Sequence, residues 1–106
     1  MLEDRDILAV NSPREHVEGP YTVVYKTNEW AIVTLCYDKR PCLGIRWFDA
    51  YGGNGNPTSR GYATWFVIPE ELCPDILHSL RIDDAQSFQI DKFLHGEIDG
   101  NELKER

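Results

Sequence analysis

Three cysteines and three histidines are the residues of this chain with the most reactive side chains: Cys36, Cys42, Cys73, His16, His78 and His95. A cysteine beside a histidine makes a nucleophile–base pair, and Cys73 lies near a helix start, where the dipole would lower a thiol pKa. His78 lies five residues further on, a spacing that does not share a helical face well. No CxxC occurs and no histidine is close to a cysteine in sequence, so zinc-module spacing is missing. An odd, sparse cysteine set is not a disulfide framework, and three free, reduced thiols are expected. Gly52-Gly53-Asn54-Gly55-Asn56 is glycine-rich, but a phosphate loop needs a strand–loop–helix setting and a Gly-Lys-Ser/Thr ending. Paired carboxylates are plentiful (Glu70-Glu71, Asp83-Asp84), yet adjacent residues point apart on regular elements and read as a solvated acidic face. Asp99-Gly100-Asn101-Glu102 lacks the alternating ligands of a calcium loop. No catalytic residue, no metal site and no cofactor is therefore expected, and the chain reads as a binding module rather than an enzyme.

The aromatic residues are the stronger lead. Trp30, Trp47, Trp65, Tyr21, Tyr25, Tyr37, Phe48, Tyr62 and Phe66 all fall in segments with strand character. If one sheet face is open and carries basic side chains as well, such rings can stack the bases of a single strand. A second chain could cover that face instead.

Tyr21–Tyr25 is rich in β-branched and aromatic residues behind Gly19-Pro20 and predicts a strand, with a tight turn at Thr27-Asn28. Trp30–Tyr37, apolar on both faces, predicts a second, central strand, and Leu43–Phe48 a third. A turn centred on Lys39-Arg40 puts Trp30, Ile32, Thr34, Cys36, Leu43, Ile45 and Trp47 on one face. Ala31, Val33, Leu35, Tyr37, Cys42, Gly44, Arg46 and Phe48 then lie on the other. After the flexible connection 49–60, Tyr62–Ile68 predicts a fourth strand, completing an antiparallel meander. The period then changes. Pro69-Glu70-Glu71 signals a helix start, and Leu72, Ile76 and Leu80 predict a helix over about 70–81. Pro74 either kinks it or starts the true helix after a short turn. Residues 83–96 fit strand and helix alike, with Gly96 as a stop and Asp83-Asp84 as a cap. Ile7-Leu8-Ala9-Val10 reads as a short edge strand or part of a docking arm in an otherwise loose segment 1–19, and 97–106 as a solvated tail. The fold class is α+β in a single domain spanning 1–106: a four-stranded antiparallel sheet, one main helix and a short C-terminal element.

The chain has 106 residues and a net charge of −7. Residues 1–19 carry −3, residues 20–68 carry +2 and residues 69–106 carry −6. A generic polyanion binder would be basic overall, so duplex DNA and anionic membranes are poor partners. No apolar run approaches the ~20 residues of a membrane span. The acidic N-terminus is unlike a secretory signal, so a cytoplasmic protein is expected.

Leu43-Gly44-Ile45-Arg46-Trp47-Phe48, a polar Gly/Pro loop, Arg60-Gly61-Tyr62 and then Pro69-Glu70-Glu71-Leu72 resemble, over residues 30–80, the single-strand-binding transcriptional coactivator family (positive cofactor four). Ile45-Arg46-Trp47 is similar to its Ile-Arg-aromatic third strand, and Arg60-Gly61-Tyr62 to the basic-Gly-apolar step opening its fourth. The resemblance implies a ββββα unit that dimerises and binds single-stranded nucleic acid. It makes Lys26, Lys39, Arg40, Arg46 and Arg60 phosphate contacts and Trp47 and Tyr62 stacking platforms. The family is lysine-rich around its binding strands, and this chain is acidic.

A homodimer is expected, because one helix cannot hide both faces of a sheet. Two functions stay open: a single-stranded nucleic-acid module, and an acidic interaction or inhibitor module of the immunity type engaging a basic protein. A third reading is a small-ligand pocket lined by tryptophans between sheet and helices. The direction of Arg46 and Arg60 separates the first two.

Overall fold

The computed structural model describes residues 2–49 and 53–103; Gly52 of the glycine-rich loop and residues 104–106 of the tail lie outside them. The fold is α+β, as the sequence predicts. Strands β1 (Val17–Lys26), β2 (Trp30–Tyr37) and β3 (Arg40–Trp47) form an antiparallel meander. Further along the chain come three two-residue strands, β4 (Thr58–Ser59), β5 (Tyr62–Ala63) and β6 (Phe66–Val67). β6 closes the main sheet in the order β1-β2-β3-β6, while β4 and β5 make a separate hairpin. Helices α1 (Asp4–Leu8), α2 (Cys73–Ser79) and α3 (Asp84–Leu94) complete the chain.

The β2–β3 turn is centred on Asp38-Lys39, one residue earlier than expected, with both residues in the left-handed region at φ 48° and 66°. Positive φ at both central residues is the hairpin turn whose twist matches its strands. Cys36 faces Pro41, Thr34 faces Leu43 and Ile32 faces Ile45. The pairing is displaced by two residues, and side chains alternate with period two, so the membership of each face is as predicted. Cys36 and Cys42 thus lie on opposite faces, and both are free thiols.

The two faces carry two cores. Ile32 and Leu43 pack with Val24, Ile68, Cys73, Leu77 and Ile90 under α2 and α3. Ala31, Val33 and Leu35 pack with Ile7, Val17, Val23 and Trp65 on the other side. The face expected to be open is therefore covered by the N-terminal arm and by Trp65. The arm is neither loose nor an edge strand, since Asp4–Leu8 is helical: Ile7 is fully buried, and the Trp65 indole Nε1 donates to the Val10 carbonyl at 2.9 Å. Trp65 comes close enough to β3 that a Cβ on Gly44 would stand 3.0 Å from its Cβ and 2.7 Å from Leu35 Cδ2.

The fourth strand is broken where one run was expected. Thr64 leaves the ladder to bridge Ser12 in parallel, and Trp65 turns into the second core, so Tyr62–Ala63 and Phe66–Val67 pair with different partners. Pro74 does not kink a helix. Residues 70–72 form a 3-10 turn, and Pro74 sits in the first turn of α2, where its missing N–H costs nothing. Residues 84–94 are helical, with the Asp83 carboxylate accepting from Gln86 N–H at 2.8 Å as N-cap. The tail folds back: a 3-10 turn at Gly100–Glu102 packs on β1, with Gly100 buried against Pro20.

The expectation of a homodimer rested on an uncovered sheet face. With both faces covered from within the chain, sedimentation equilibrium at tens of micromolar is expected to return the single-chain mass of 12.2 kDa. A doubled mass would mean that another surface associates.

Candidate functional site

Arg46 extends from β3 on the face of Ala31 and Phe48, and is only 2% exposed. Its Nε donates to the Trp47 carbonyl at 3.2 Å. Its Nη1 donates to the carbonyls of Pro57 at 3.1 Å and Thr64 at 2.6 Å, and its Nη2 donates to that of Asn54. The guanidinium lies 4.9 Å from the centre of the Phe48 ring. Burial lowers its pKa from the ordinary arginine value. A buried cation is tolerated where hydrogen bonds replace water, and the carbonyls it serves belong to a connection with little regular pairing. Gly55, at φ +64°, lets that connection approach, since a Cβ there would fall on the Trp47 carbonyl and 2.9 Å from Arg46 Nη2. Arg46 is thus a structural clamp, not the surface phosphate contact that the sequence suggests.

Lys26 is also engaged internally. Its Nζ lies 2.8 Å from an Asp4 carboxylate oxygen and donates to the Leu2 carbonyl at 3.1 Å, which fastens the N-terminal arm. Lys39 meets Glu18 at 3.7 Å in an exposed pair of small worth. Arg40 and Arg60 are exposed and form no ion pair among the described residues. Tyr62 is 68% exposed and Trp47 53%. Trp47 and Arg40 occupy opposite ends of β3, roughly 23 Å apart at strand rise. Of the seven expected contacts, Arg60 and Tyr62 share a groove, together with Arg14, His16 and Tyr37.

The tryptophans do not line a common cavity. Trp30 stacks at a tilt on Tyr25, Trp65 meets the Phe48 ring edge-on, and Trp47 faces outward. The space between sheet and α3 is lined by Thr22, Thr34, Gln86, Gln89 and Ile90, without tryptophan.

The helices make a site that sequence reading passed over as a solvated acidic face. Between α2 and α3 runs a groove of about 440 Å3. Cys73, Leu77, Ile82 and Leu94 supply its apolar surface, and Glu70, Asp84 and Asp91 its carboxylates. Phe88 lines it while remaining 59% exposed, with the Lys92 ammonium 4.8 Å from its ring centre. The signal was the spacing of Asp84, Phe88 and Asp91, which share one face if the segment is a helix. His95 sits at the same groove. Its pKa is raised, first by the hydrogen bond from its Nδ1 to the Asp91 carbonyl at 2.8 Å, then by the Asp91 charge.

Thiol chemistry is disfavoured by the surroundings. Burial pushes Cys42 up to about 12 and raises Cys36 and Cys73 as well, whereas a nucleophilic cysteine needs a lowered pKa. No group of three His, Cys, Asp or Glu side chains is placed to hold a metal ion among the described residues. Nor is any of their helices long and apolar enough to cross a membrane. Comparison with protein-family models, with curated proteins and with solved structures gives no match.

Replacing Arg46 by alanine removes the donors to the buried Thr64 carbonyl and to the half-buried carbonyls of Trp47, Asn54 and Pro57. The loss expected in urea unfolding is at least about 3 kcal/mol, a large part of the ~5–15 kcal/mol of a domain this size. Arg60→Ala is expected to stay within about 0.5 kcal/mol.

His16 Nδ1 lies 2.5 Å from an Asp38 carboxylate oxygen, and its ring stacks on Tyr37 at 5.6 Å. The hydrogen bond to Asp38 raises its pKa above the ordinary 6.5, partial burial opposes this, and the Asp38 and Glu15 charges reinforce it. The folded state thus favours the imidazolium. Its contribution to stability is complete below the unfolded pKa and fades as pH rises through the folded one. An NMR titration should place the His16 midpoint above 6.5, and Asp38→Asn should return it toward that value.

Proposed function

We propose that this chain is a protein-interaction module whose helical layer receives a basic, partly apolar segment of a partner protein. The carrying observation is the α2–α3 groove, which Glu70, Asp84 and Asp91 line together with the exposed Phe88. An exposed ring in a groove that also carries three carboxylates suits a segment that presents an apolar anchor among lysines or arginines. The charge distribution supports the same reading: residues 69–106 hold ten acidic and four basic side chains. Such a field steers a cationic partner in and rejects polyanions. Blocking a cationic target with this face would make the chain an inhibitor of the immunity type.

The nucleic-acid reading has less support. It called for five cations and two aromatic platforms on an open face, but Arg46 and Lys26 are engaged internally and Trp47 lies at the opposite end of β3 from Arg40.

Fluorescence anisotropy of a labelled amphipathic Lys/Leu peptide, titrated with the full chain at two salt concentrations, tests the proposal. Binding in the micromolar range that weakens with salt is expected. Phe88→Ser leaves the charge untouched and should weaken it about fivefold or more, and Asp84→Lys with Asp91→Lys should abolish it. A labelled single-stranded oligonucleotide serves as the second arm. Peptide binding indifferent to Phe88→Ser, or saturable binding of the oligonucleotide alone, would overturn the reading.

A further inference from the structure

The turn of residues 11–16, Tyr37 at the end of β2, and the β4–β5 hairpin enclose a second groove, of about 740 Å3. It shares no lining residue with the α2–α3 groove. Its chemistry is the reverse of the helical layer's. Arg14 and Arg60 both line it, and neither forms an ion pair among the described residues. Glu15 is the one carboxylate residue in its lining. His16 is held beside it, its ring stacked on Tyr37 and its Nδ1 tied to Asp38, which leaves Nε2 as the nitrogen not committed to that bond. Tyr62 adds a ring that is 68% exposed.

The backbone at Arg60 gives a second, independent observation. Arg60 is the first central residue of the β4–β5 turn, at φ 54°, followed by Gly61 at φ 84°. A turn with both central residues in the left-handed region favours Asn-Gly or Asp-Gly. Arginine there costs conformational energy that asparagine would not. The neighbouring Asn54 side chain donates to the Gly61 carbonyl at 2.5 Å, so the turn is held in place from outside. Lys39 holds the same region in the β2–β3 turn, and residues so held serve in turns and in ligand clamps alike.

We propose that this groove binds a phosphate monoester carried on a flat ring, with Arg14 and Arg60 taking the phosphate and Tyr62 the ring. Guanidinium groups present paired donors that match phosphate oxygens. An exposed tyrosine offers a face for stacking. A free phosphorylated ring and a nucleotide share this chemistry, and the probes below separate them.

The test is a 1H–15N NMR titration of the full chain with inorganic phosphate, phenyl phosphate and AMP in turn. Shifts are expected to centre on residues 11–16, Tyr37 and 59–62, with dissociation constants near or below about 1 mM for the ring-bearing probes. Those probes should bind about fivefold or more tightly than inorganic phosphate. AMP binding more tightly than phenyl phosphate assigns the groove to nucleotides, and the opposite order assigns it to aryl phosphates. Tyr62→Ala should reduce both to the level of inorganic phosphate. Arg60→Asn gives the discriminating result. It relieves the turn, so thermal stability should hold or rise, while binding falls about tenfold or more. No shifts at about 10 mM probe, shifts spread equally over Arg5 and Arg81, or binding unchanged in Arg60→Asn would each overturn the proposal. None of these outcomes bears on the Lys/Leu peptide at the α2–α3 groove.

Discussion

A guanidinium buried against a sheet face decides what the connection after β3 can do. Within the connection Thr58–Ser59 pairs with Tyr62–Ala63, and the carbonyls of Asn54, Pro57 and Thr64 lie outside that ladder. Arg46 gathers those of Trp47, Asn54, Pro57 and Thr64 around one cation. With Thr64 drawn in, Trp65 arrives over Gly44 and closes the second core, and Phe66–Val67 can return to pair with β3. A lysine would offer the charge without the planar fork that reaches carbonyls in several directions. The clamp also consumes the residue best placed, by sequence, to touch a ligand.

The second core shows how a small chain covers a sheet without a second layer of long helices. One helical turn carrying Ile7, the arm around it and one tryptophan suffice for Ala31, Val33 and Leu35. Lys26 secures that arm through Asp4 and the Leu2 carbonyl, so its charge serves folding. Outside these cores, Glu70, Asp84 and Asp91 line the groove of the helical side with Phe88, and Arg14 and Arg60, in no ion pair among the described residues, line the one at the hairpins with Tyr37 and Tyr62.

Much of the sheet was legible because period-two alternation tolerates an even error. Moving the β2–β3 turn back by one residue displaced the register by two and left Ile32 and Val33 on their predicted faces. The helical signals at Pro69, Asp83 and Gly96 were local and held for the same reason that caps are local. The break at Thr64-Trp65 was not legible. Tyr62–Ile68 has uniform strand propensity, and what divides it is a contact with Arg46 and Ser12, far away in sequence. The candidate site suffered similarly. Arginines on a strand look alike in sequence whether they face water or a ring of carbonyls. Phe88 was ambiguous because residues 83–96 fit two periods, and only the helix places it beside Asp84 and Asp91.

The edges of the sheet have a bearing on how such a chain stays separate in a crowded solution. An unpaired strand edge is a template on which another chain can add itself. Here β1, the long outer strand, has irregular registers between Glu18 and Thr22 and between Val23 and Tyr25. It also contains Pro20, which has no N–H to offer and is overlaid by Gly100. At the opposite margin β6 is only two residues long. Neither margin presents a long, flat row of free donors and acceptors. The devices that give this sheet its twist and its broken last strand thus also make it a poor seed for strand-by-strand aggregation.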